Sequence, residues 1–274
     1  MAILNVTPDS FYDGGRYRGL HAALARAWAV VDEGADLLDI GGESTRPGAA
    51  DVGPTEEAAR VTPVIEQLVK AGYPLPISID TTRASVAAGA LDVGAVIVND
   101  VSGGVREPEI LRVAARGGAA VILMHMRGSP QTMGAHADYG DIVTEVRDAL
   151  AERCRAADAA GIPPERQCVD PGIGFAKTAA GSLELVAHLG ALDSLHRPIL
   201  VGASRKSFLG RLFGQEEEER HWGSLAVAAW SAAEGAHILR VHDVRSTRCV
   251  LDVTRGLLLA RDPAAALSQH RDTL

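Results

Sequence analysis

Two short apolar runs of the chain are each followed, directly or after two small residues, by side chains that could bind or activate a polar substrate. Asp170 follows Gln167–Val169, and Ser204–Ser207, which contains an arginine and a lysine, follows Pro198–Val201. Turns rich in glycine or serine and a helical pattern come next in both places. If the apolar runs are strands of an α/β barrel, a carboxylate and two cations lie at the end of the barrel where such folds carry out catalysis.

The same placement, a polar side chain directly after an apolar run, recurs along the chain. A single such residue is explained by helix capping or turn formation. So many are not, because the strand ends of a closed barrel converge on one pocket. The residues concerned are Asn5, Asp80, Asn99, His125, Asp170, Lys206, Arg240 and His242.

Three of these residues suit a polar heterocycle. A buried carboxylate such as Asp80 or Asp170 must be hydrogen-bonded, or it takes up a proton. The parallel N–H donors of an aminopyrimidinone edge satisfy a carboxylate through two bonds. Asn99 can donate and accept at once, which suits a mixed ring edge. The alternatives are a cap formed by Asp170 ahead of Pro171, and a turn formed by Asn99 before the glycines that follow it.

Arg240 and His242 flank Val241 at the end of the last apolar run. Side chains two residues apart share one face of a strand, so the pair predicts a two-pronged anion site. Asn5 and Arg46 follow the first and second strands, which adjoin the last strand in a closed barrel. Together these residues predict a site for a diphosphate with Mg2+, a metal that combines few protein oxygens with phosphate. A surface salt bridge is the alternative for Arg240.

Two loops, residues 5–15 and 41–49, combine glycines that can act as hinges with apolar and polar side chains. Phe11 and Pro47 supply apolar surface that could close over a ligand. A lid that only covered the core would have no use for the polar residues of these loops, which are Asp9, Asp13, Thr45 and Arg46. The loops are therefore interpreted as part of the site.

Met124 and His125 follow the fifth apolar run. Met124 is interpreted as apolar pocket wall. The role of His125 stays open, because a histidine that only satisfies its own hydrogen bonds at the rim agrees with the sequence as well as a catalytic one does.

The scaffold that positions these residues is predicted from eight alternations of short apolar runs with longer, Ala-rich amphipathic stretches. The predicted strands are Ala2–Val6, Asp36–Ile40, Pro76–Ile79, Val96–Val98, Ala119–Met124, Gln167–Val169, Pro198–Val201 and Ile238–Val241. The predicted helices are Leu20–Glu33, Thr55–Ala71, Arg83–Asp92, Pro108–Arg116, Asp141–Ala160, Ser182–Leu189, Glu219–Glu234 and Val244–Ala260. Such units predict a (β/α)8 TIM barrel in a single domain, residues 1–274. An open doubly wound sheet is the alternative, but the sequence lacks its strand–GxGxxG–helix fingerprint.

Length, charge and cysteine content limit the class of protein. A chain of 274 residues with net charge −8 suits one barrel and has no basic field for nucleic acid. Its three cysteines, Cys154, Cys168 and Cys249, lack metal or redox spacing and are predicted to be buried thiols. No apolar run is long enough to span a membrane, and no signal peptide precedes the first strand. A cytoplasmic protein is therefore expected, with small molecules rather than nucleic acid or membrane as partners.

Eight segments, in order over essentially the whole chain, together resemble the dihydropteroate synthase family. They are Asn5–Gly15, Gly41–Ala49, Ser78–Thr81, Asn99–Gly104, Met124–Met126, Asp170–Phe175, Ser204–Gly210 and Arg240–Val244. The resemblance implies a (β/α)8 barrel that joins 6-hydroxymethyl-7,8-dihydropterin pyrophosphate to 4-aminobenzoate, forming 7,8-dihydropteroate and diphosphate. It also implies Mg2+ as cofactor, a homodimer and inhibition by sulfonamides.

The resemblance distributes the candidate residues among three ligands. The residues implied for the pterin are Asp80, Asn99, Met124, Asp170 and Lys206. Those implied for the aminobenzoate pocket are Phe11, Thr45, Pro47, Phe175, Lys206 and Ser207. Those implied for the diphosphate are Asn5, Thr45, Arg46, Arg240 and His242, with Asn5 also a ligand of Mg2+. The implied chemistry is an SN1-like displacement, with Asp80, Lys206, Asp9 and Asp13 as catalytic residues.

Two other functions stay open. A pterin-dependent methyltransferase of the same barrel family, which passes a methyl group from a folate to a corrinoid protein, would share the pterin carboxylates but have no use for Arg240 and His242. A noncatalytic paralogue that binds pterin for regulation would not need the anion site or the two loops. The sequence departs from the family pattern at Tyr12, where a small residue is usual, and at Ala176, where glycine is frequent.

Overall fold

The computed structural model describes residues 1–6, 15–43, 52–129, 131–214, 216 and 219–261, with the backbone alone for residues 15–18. Eight strands alternate with helices in these ranges. The strands are β1 Ala2–Asn5, β2 Leu38–Gly41, β3 Ile77–Asp80, β4 Ile97–Asp100, β5 Ala120–Met124, β6 Gln167–Asp170, β7 Leu200–Val201 and β8 Ile238–Leu239. Each predicted strand is present, and three of the polar residues expected just beyond a strand, Asn5, Asp80 and Asp170, form its last residue.

The strands are all parallel and close into a barrel. β1 to β6 follow one another in a single sheet, and β7 pairs with β8. Two parallel bridges join these sheets at both seams, between Val169 and Ile199 and between Ala2 and Val241. At the second seam the N–H of Ile3 donates to the carbonyl of Val241 at 3.0 Å. The (β/α)8 barrel is confirmed, and the open doubly wound sheet is excluded.

The described helices lie outside the barrel. They are α1 Gly15–Asp32, α2 Pro54–Lys70, α3 Ala84–Asp92, α4 Glu109–Arg116, α5 Ile142–Ala159, α6 Ala179–Ala187, α7 Ser207–Phe213, α8 Arg220–Ala233 and α9 Val244–Arg261. The sequence did not predict α7, because two turns are too short to show a periodic pattern. Helix α6 begins at Ala179 rather than at Ser182, since the Thr178 side chain accepts from the N–H of Gly181 at 3.0 Å and caps it there.

Successive strand residues face the helices and the barrel interior in turn. In β5, Val121 and Leu123 belong to the main core between strands and helices, whereas Ile122 packs inside the barrel with Cys168 and Leu200. This apolar layer fills the lower interior. The inward positions nearer the carboxyl ends of the strands carry polar residues instead, and these form the candidate site.

Cys154 and Cys168 are buried free thiols, as predicted, but Cys249 is exposed on α9, and the prediction of a buried thiol is wrong there. The reason is that Cys249 lies on the outer face of α9, one and two turns before the exposed residues Val253 and Leu257. Within the described part of the chain, every helix is too short or too polar to cross a membrane.

Candidate active site

An ion cluster at the carboxyl ends of β2, β3 and β8 forms one side of the candidate site. The Arg240 guanidinium donates to Asp39 Oδ2 at 2.6 Å and to Asp80 Oδ2 at 2.5 Å. The amide of Asn99 donates to the same oxygen of Asp39 at 3.0 Å. Two strands at opposite ends of the sequence are thereby joined, and three predicted site residues, Asp80, Asn99 and Arg240, meet in one place.

Asp39 is the residue that the sequence analysis missed. It has no exposed surface, and its Oδ1 has no hydrogen-bond partner among the described residues. The prediction rests on polar residues that follow apolar runs, whereas Asp39 lies inside such a run, between Leu38 and Ile40. The alternation of side chains along a strand could have identified it, because Leu38 and Ile40 face the helices and Asp39 faces the barrel interior.

The electrostatics of this cluster favour a ligand that donates hydrogen bonds. Burial raises the pKa of Asp80, and the positive charge of Arg240 opposes that rise. Burial lowers the pKa of Arg240, but Asp39 and Asp80 outweigh this and raise it overall. Two buried carboxylates therefore share one permanent cation, which leaves acceptor oxygens for the N–H groups of a ring.

Asp170, at the end of β6, does not cap a helix, because the next helix, α6, begins only at Ala179. Its Oδ1 accepts from the N–H of Gly172 at 2.7 Å and so closes a turn. The residue is almost wholly buried in the barrel mouth, and burial raises its pKa. The turn uses one carboxylate oxygen, so the other can accept from a ligand.

Lys206 lies across the pocket mouth from this carboxylate, on the loop between β7 and α7. Its Nζ is 3.8 Å from the ring centroid of Phe175, a cation–π contact that places the ammonium on an aromatic wall. Burial lowers the pKa of Lys206 to about 8, and Asp170 opposes that shift. The amine therefore holds its charge at neutral pH but loses it more easily than an exposed lysine does.

The turn before Lys206 is fixed by its neighbour Arg205, whose φ of 56° is unusual for a residue with a side chain. The N–H of Arg205 donates to Ser224 Oγ at 2.7 Å, and its guanidinium pairs with Asp243. Contacts to α8 and to the loop after β8 thus hold the backbone that presents Lys206.

The remaining described candidates surround this centre. Met124 and Phe175 are buried in a small apolar cluster with Val101. Ser207 is the exposed first residue of α7, and His242 places Nδ1 3.1 Å from Ser204 Oγ. The apolar-wall interpretation of Met124 agrees with this packing.

Asn5 is exposed at the end of β1, a strand that adjoins β8 as predicted. Arg240 was expected to face only a diphosphate, but its guanidinium also belongs to the ion cluster with Asp39 and Asp80. Backbone pairing continues beyond the end of β8 to Val241, which bridges to Ala2 and is buried in the main core between Arg240 and His242. The predicted site residues Asp9, Phe11, Asp13, Thr45, Arg46 and Pro47 lie outside the described residues, as does Tyr12.

Comparisons with known proteins agree with this geometry. The model of the pterin binding enzyme family matches residues 1–242. The dihydropteroate synthase of Synechocystis is 48% identical over 94% of this chain and 89% of its own length. The chain belongs to the dihydropteroate synthase family.

Solved structures of the family superimpose closely on this chain. One, the Xanthomonas albilineans dihydropteroate synthase with 4-aminobenzoic acid, has a TM-score of 0.87 at 46% identity, over 94% of this chain and 92% of its own. Another, the Yersinia pestis dihydropteroate synthase in a sulfonamide drug complex, has a TM-score of 0.87 at 42% identity, over 93% and 92% of the two chains. The resemblance found in the sequence is confirmed over nearly the full chain.

The lowered pKa of Lys206 predicts an alkaline limb in the activity of this family member. A substrate-binding role for Lys206 would need its cationic form, so kcat/KM should then fall as pH rises through about 8, when the amine loses its proton. In Lys206→Arg the cation persists, and the limb should move to higher pH even if the rate is lower. A pH profile of kcat/KM checks this. The same limb in wild type and variant would assign it to another group.

Proposed function

We propose that this protein is a dihydropteroate synthase, condensing 6-hydroxymethyl-7,8-dihydropterin pyrophosphate with 4-aminobenzoate to give 7,8-dihydropteroate and diphosphate. The observation that carries the proposal is the convergence of three carboxylates, the buried Asp39 and Asp170 and the nearly buried Asp80, with Lys206 and Arg240 at one barrel mouth. The cluster offers acceptors for the N–H groups of a pterin and cations for oxygen atoms. The family relationship indicates which reaction uses them.

The ring is proposed to lie between the carboxylates and the aromatic wall. The free oxygens of Asp170 and Asp39 accept from the aminopyrimidinone edge, and Asn99 and Lys206 contact the remaining polar atoms. Charge-assisted bonds of this kind contribute about 1.5–3 kcal/mol each. Met124 and Phe175 supply apolar surface around the ring.

The displacement breaks the bond between the pterin methylene carbon and the diphosphate oxygen, and the electron pair leaves with that oxygen. The negative charge of Asp80 stabilises the methylene cation that remains, in a buried setting where such charges act strongly. The amine nitrogen of 4-aminobenzoate then bonds to the carbon and releases a proton. Orientation and charge accomplish this without a covalent intermediate on the enzyme.

The arriving 4-aminobenzoate is proposed to lie against Phe175, Lys206 and Ser207. Sulfonamides, which share its aromatic amine, are proposed to compete for the same place. An increase in the apparent KM for 4-aminobenzoate with rising sulfonamide, at constant maximal rate, tests this.

Two rivals are separated from the synthase by one assay of diphosphate release from the pterin pyrophosphate. A synthase releases diphosphate rapidly when 4-aminobenzoate is present. A regulatory paralogue binds the pterin but releases none. A methyltransferase shows no release of diphosphate that depends on 4-aminobenzoate. It instead demethylates a methylated folate when a corrinoid protein is supplied.

We propose Asn5 as the protein ligand of Mg2+, together with the diphosphate. The described residues contain no cluster of His, Cys, Asp and Glu able to hold a metal alone. The exposed amide oxygen of Asn5 fits Mg2+, which keeps several waters and takes few protein ligands beside phosphate. When bound, Mg2+ would neutralise charge on the leaving diphosphate. Arg240 and His242 are proposed to contact the same anion.

This assignment predicts that Mg2+ raises the affinity for diphosphate at least ~10-fold in the wild type, about 1.4 kcal/mol. Asn5→Ala should lose most of that gain, because it removes an oxygen ligand, while Asn5→Asp should keep it. Isothermal titration of diphosphate with and without Mg2+ measures the effect without turnover. An equal Mg2+ effect in Asn5→Ala would exclude Asn5 as the ligand.

We propose a homodimer in which a second copy covers the outer faces of α8 and α9. Trp222 is 70% exposed and Trp230 52% on α8, and Val253 is 65% and Leu257 67% exposed on α9. The small residues Ser224, Val227 and Ala228 pack inwards, so the tryptophan face remains for a partner. The net charge of −8 opposes nonspecific association but not a specific apolar contact of this kind.

The dimer proposal predicts that Leu257→Glu separates the protomers. A carboxylate buried at an apolar interface without a partner costs several kcal/mol. Sedimentation velocity should show about half the wild-type mass, with an unchanged melting transition of the secondary structure. Val69→Glu, at an exposed apolar residue of α2, should stay dimeric. A dimeric Leu257→Glu protein would move the interface elsewhere.

The free thiols of Cys154, Cys168 and Cys249 are in keeping with a reducing compartment. We therefore propose a cytoplasmic enzyme.

A further inference from the structure

Lysine is rare in this chain and concentrated at the candidate site. The 27 basic residues of the Lys and Arg types include only three lysines, Lys70, Lys177 and Lys206. Lys70 is an exposed helix residue paired with Glu66. Lys206 belongs to the site, and Lys177, which the proposed reaction has not used, is 7% exposed on the loop after β6.

The ammonium of Lys177 is held by acceptors that carry no formal charge. It donates to the carbonyl of Phe175 at 2.9 Å and to that of His125 at 3.3 Å, and it lies 2.9 Å from His125 Nδ1. In its charged form Lys177 has only donors, so Nδ1 of His125 then accepts and the ring proton is on Nε2. Burial, followed by the charge of Lys177, lowers the pKa of His125 to about 3, which keeps the imidazole neutral.

These bonds join two loops that already touch. The N–H of His125 donates to the carbonyl of Asp170 at 2.9 Å. A Cβ on Gly172 would lie 2.1 Å from the carbonyl oxygen of His125, so only glycine permits this approach. Lys177 adds the polar contacts that fix the rest of the second loop, including Phe175, against the end of β5.

The backbone next to Lys177 also needs support. Ala176 has a φ of 49°, a conformation that costs a residue with a side chain and that accounts for the frequent glycine here in the family. Its carbonyl accepts from the Tyr139 hydroxyl at 2.9 Å. The strained turn is thus fixed by Tyr139 on one side and Lys177 on the other, and Phe175 precedes it.

We propose that Lys177 is a positioning residue for the condensation: through Phe175 and His125 it holds the aromatic wall on which the ammonium of Lys206 rests. The effect passes from Lys177 to the Phe175 carbonyl, and from the Phe175 ring to Lys206 Nζ at 3.8 Å. The inference rests on the proposed function, because Lys206 matters only if the site binds the pterin and aminobenzoate. It also explains His125, whose neutral ring serves as an acceptor for Lys177.

The charge environment of Lys177 is consistent with this role. Burial lowers its pKa to about 7, Asp170 opposes the shift, and Lys206 and Arg127 add to it. Its contacts with Phe175 and His125 thus hold the amine in a buried place where the charged form is less stable than in water. An arginine, which never loses its proton, would be the simpler choice if a cation alone were required, and this chain uses arginine almost everywhere else.

The test reads the position of Lys206 directly. With only three lysines, protein grown on 13C-lysine gives three ε-methylene signals, and the Phe175 ring should shift that of Lys206 upfield. Lys177→Met, which keeps the aliphatic stem but has no donors, should abolish this shift and lower kcat/KM at least ~10-fold. Lys177→Arg should restore part of both, and Lys70→Met should change neither.

Each outcome decides the proposal. A Lys206 ε-methylene signal that keeps its upfield shift in Lys177→Met overturns the proposal whatever the kinetics. Loss of that shift with wild-type kcat/KM overturns it as well. If Lys177→Met does not fold, His125→Phe removes one of the three acceptors and should reduce the ring shift, while an unchanged shift counts against the proposal. The spectra do not depend on turnover, so inactivity of the wild type would refute the proposed function without affecting this result.

Discussion

Asp170→Asn is expected to lower kcat/KM for the pterin pyrophosphate at least ~100-fold, a rise in barrier of roughly 2.7 kcal/mol. Oδ1 of Asp170 is used by the N–H of Gly172. An asparagine that preserves this turn with its oxygen places its NH2 group where the second carboxylate oxygen is proposed to accept from the ring. Donor then faces donor, and a charge-assisted bond becomes a repulsive contact.

The matched control is Asp141→Asn. Asp141 caps α5 at the surface, where its Oδ1 accepts from the N–H of Thr144 at 3.1 Å, so the same substitution meets the same kind of backbone bond away from the pocket. We expect wild-type kinetics there and melting temperatures within a few degrees of wild type for both variants. Wild-type kinetics in Asp170→Asn would remove Asp170 from the site.

Arg240→Met is expected to have the largest effect on stability, lowering the free energy of unfolding by about 3–5 kcal/mol at neutral pH. The substitution leaves Asp39 and Asp80 buried together without their cation. Binding of both diphosphate and a pterin lacking phosphate should weaken, because the guanidinium pairs with the carboxylates proposed for the ring and is also proposed to contact the diphosphate. Urea unfolding and calorimetric titration measure the two effects.

The pH dependence of that loss has a definite sign. Without Arg240 the pKa of Asp80 in the folded protein lies still further above its unfolded value, so the folded state holds a proton that the unfolded state releases. Binding of this proton stabilises the folded state at low pH. The stabilisation is lost as pH rises through the pKa that Asp80 has in the folded variant. The variant should therefore be closer to wild type at pH 5 than at pH 8.

Two further variants sharpen the interpretation of Arg240. Asp39→Asn in the Arg240→Met background should recover part of the stability, since it removes one of the two stranded charges. Arg116→Met, which breaks an exposed ion pair with Glu109, should leave the unfolding free energy almost unchanged. A destabilisation by Arg240→Met no larger than that of Arg116→Met would show that the buried cluster is not formed.

The sequence predicted the barrel well because each strand and most helices repeat one pattern, and a closed sheet is the way to bury eight parallel strands. Residues at strand ends were found for the same reason, and Asp80, Asn99 and Asp170 do meet in one mouth. The helix α7 was missed for its shortness. Asp39 was missed because a polar residue inside a strand interrupts the apolar pattern in the sequence. Its place in the site depends on closure of the barrel.

What the sequence could not predict is which charges pair. Arg240 is 201 residues from Asp39 and 160 from Asp80, and nothing local indicates that one guanidinium serves both. The contacts of Lys177 are similar, because they depend on a strained turn at Ala176 and on a close approach at Gly172. Such pairings are fixed only when the strands are placed around the barrel.

The most direct test of the proposed function is the product of the purified protein with Mg2+, 6-hydroxymethyl-7,8-dihydropterin pyrophosphate and 4-aminobenzoate. We predict 7,8-dihydropteroate, identified by mass, formed in a 1:1 ratio with diphosphate and only when both substrates are present. Asp170→Asn should form it at least ~100-fold more slowly in the same assay. Folded wild-type protein that binds the pterin but forms no dihydropteroate would contradict the account.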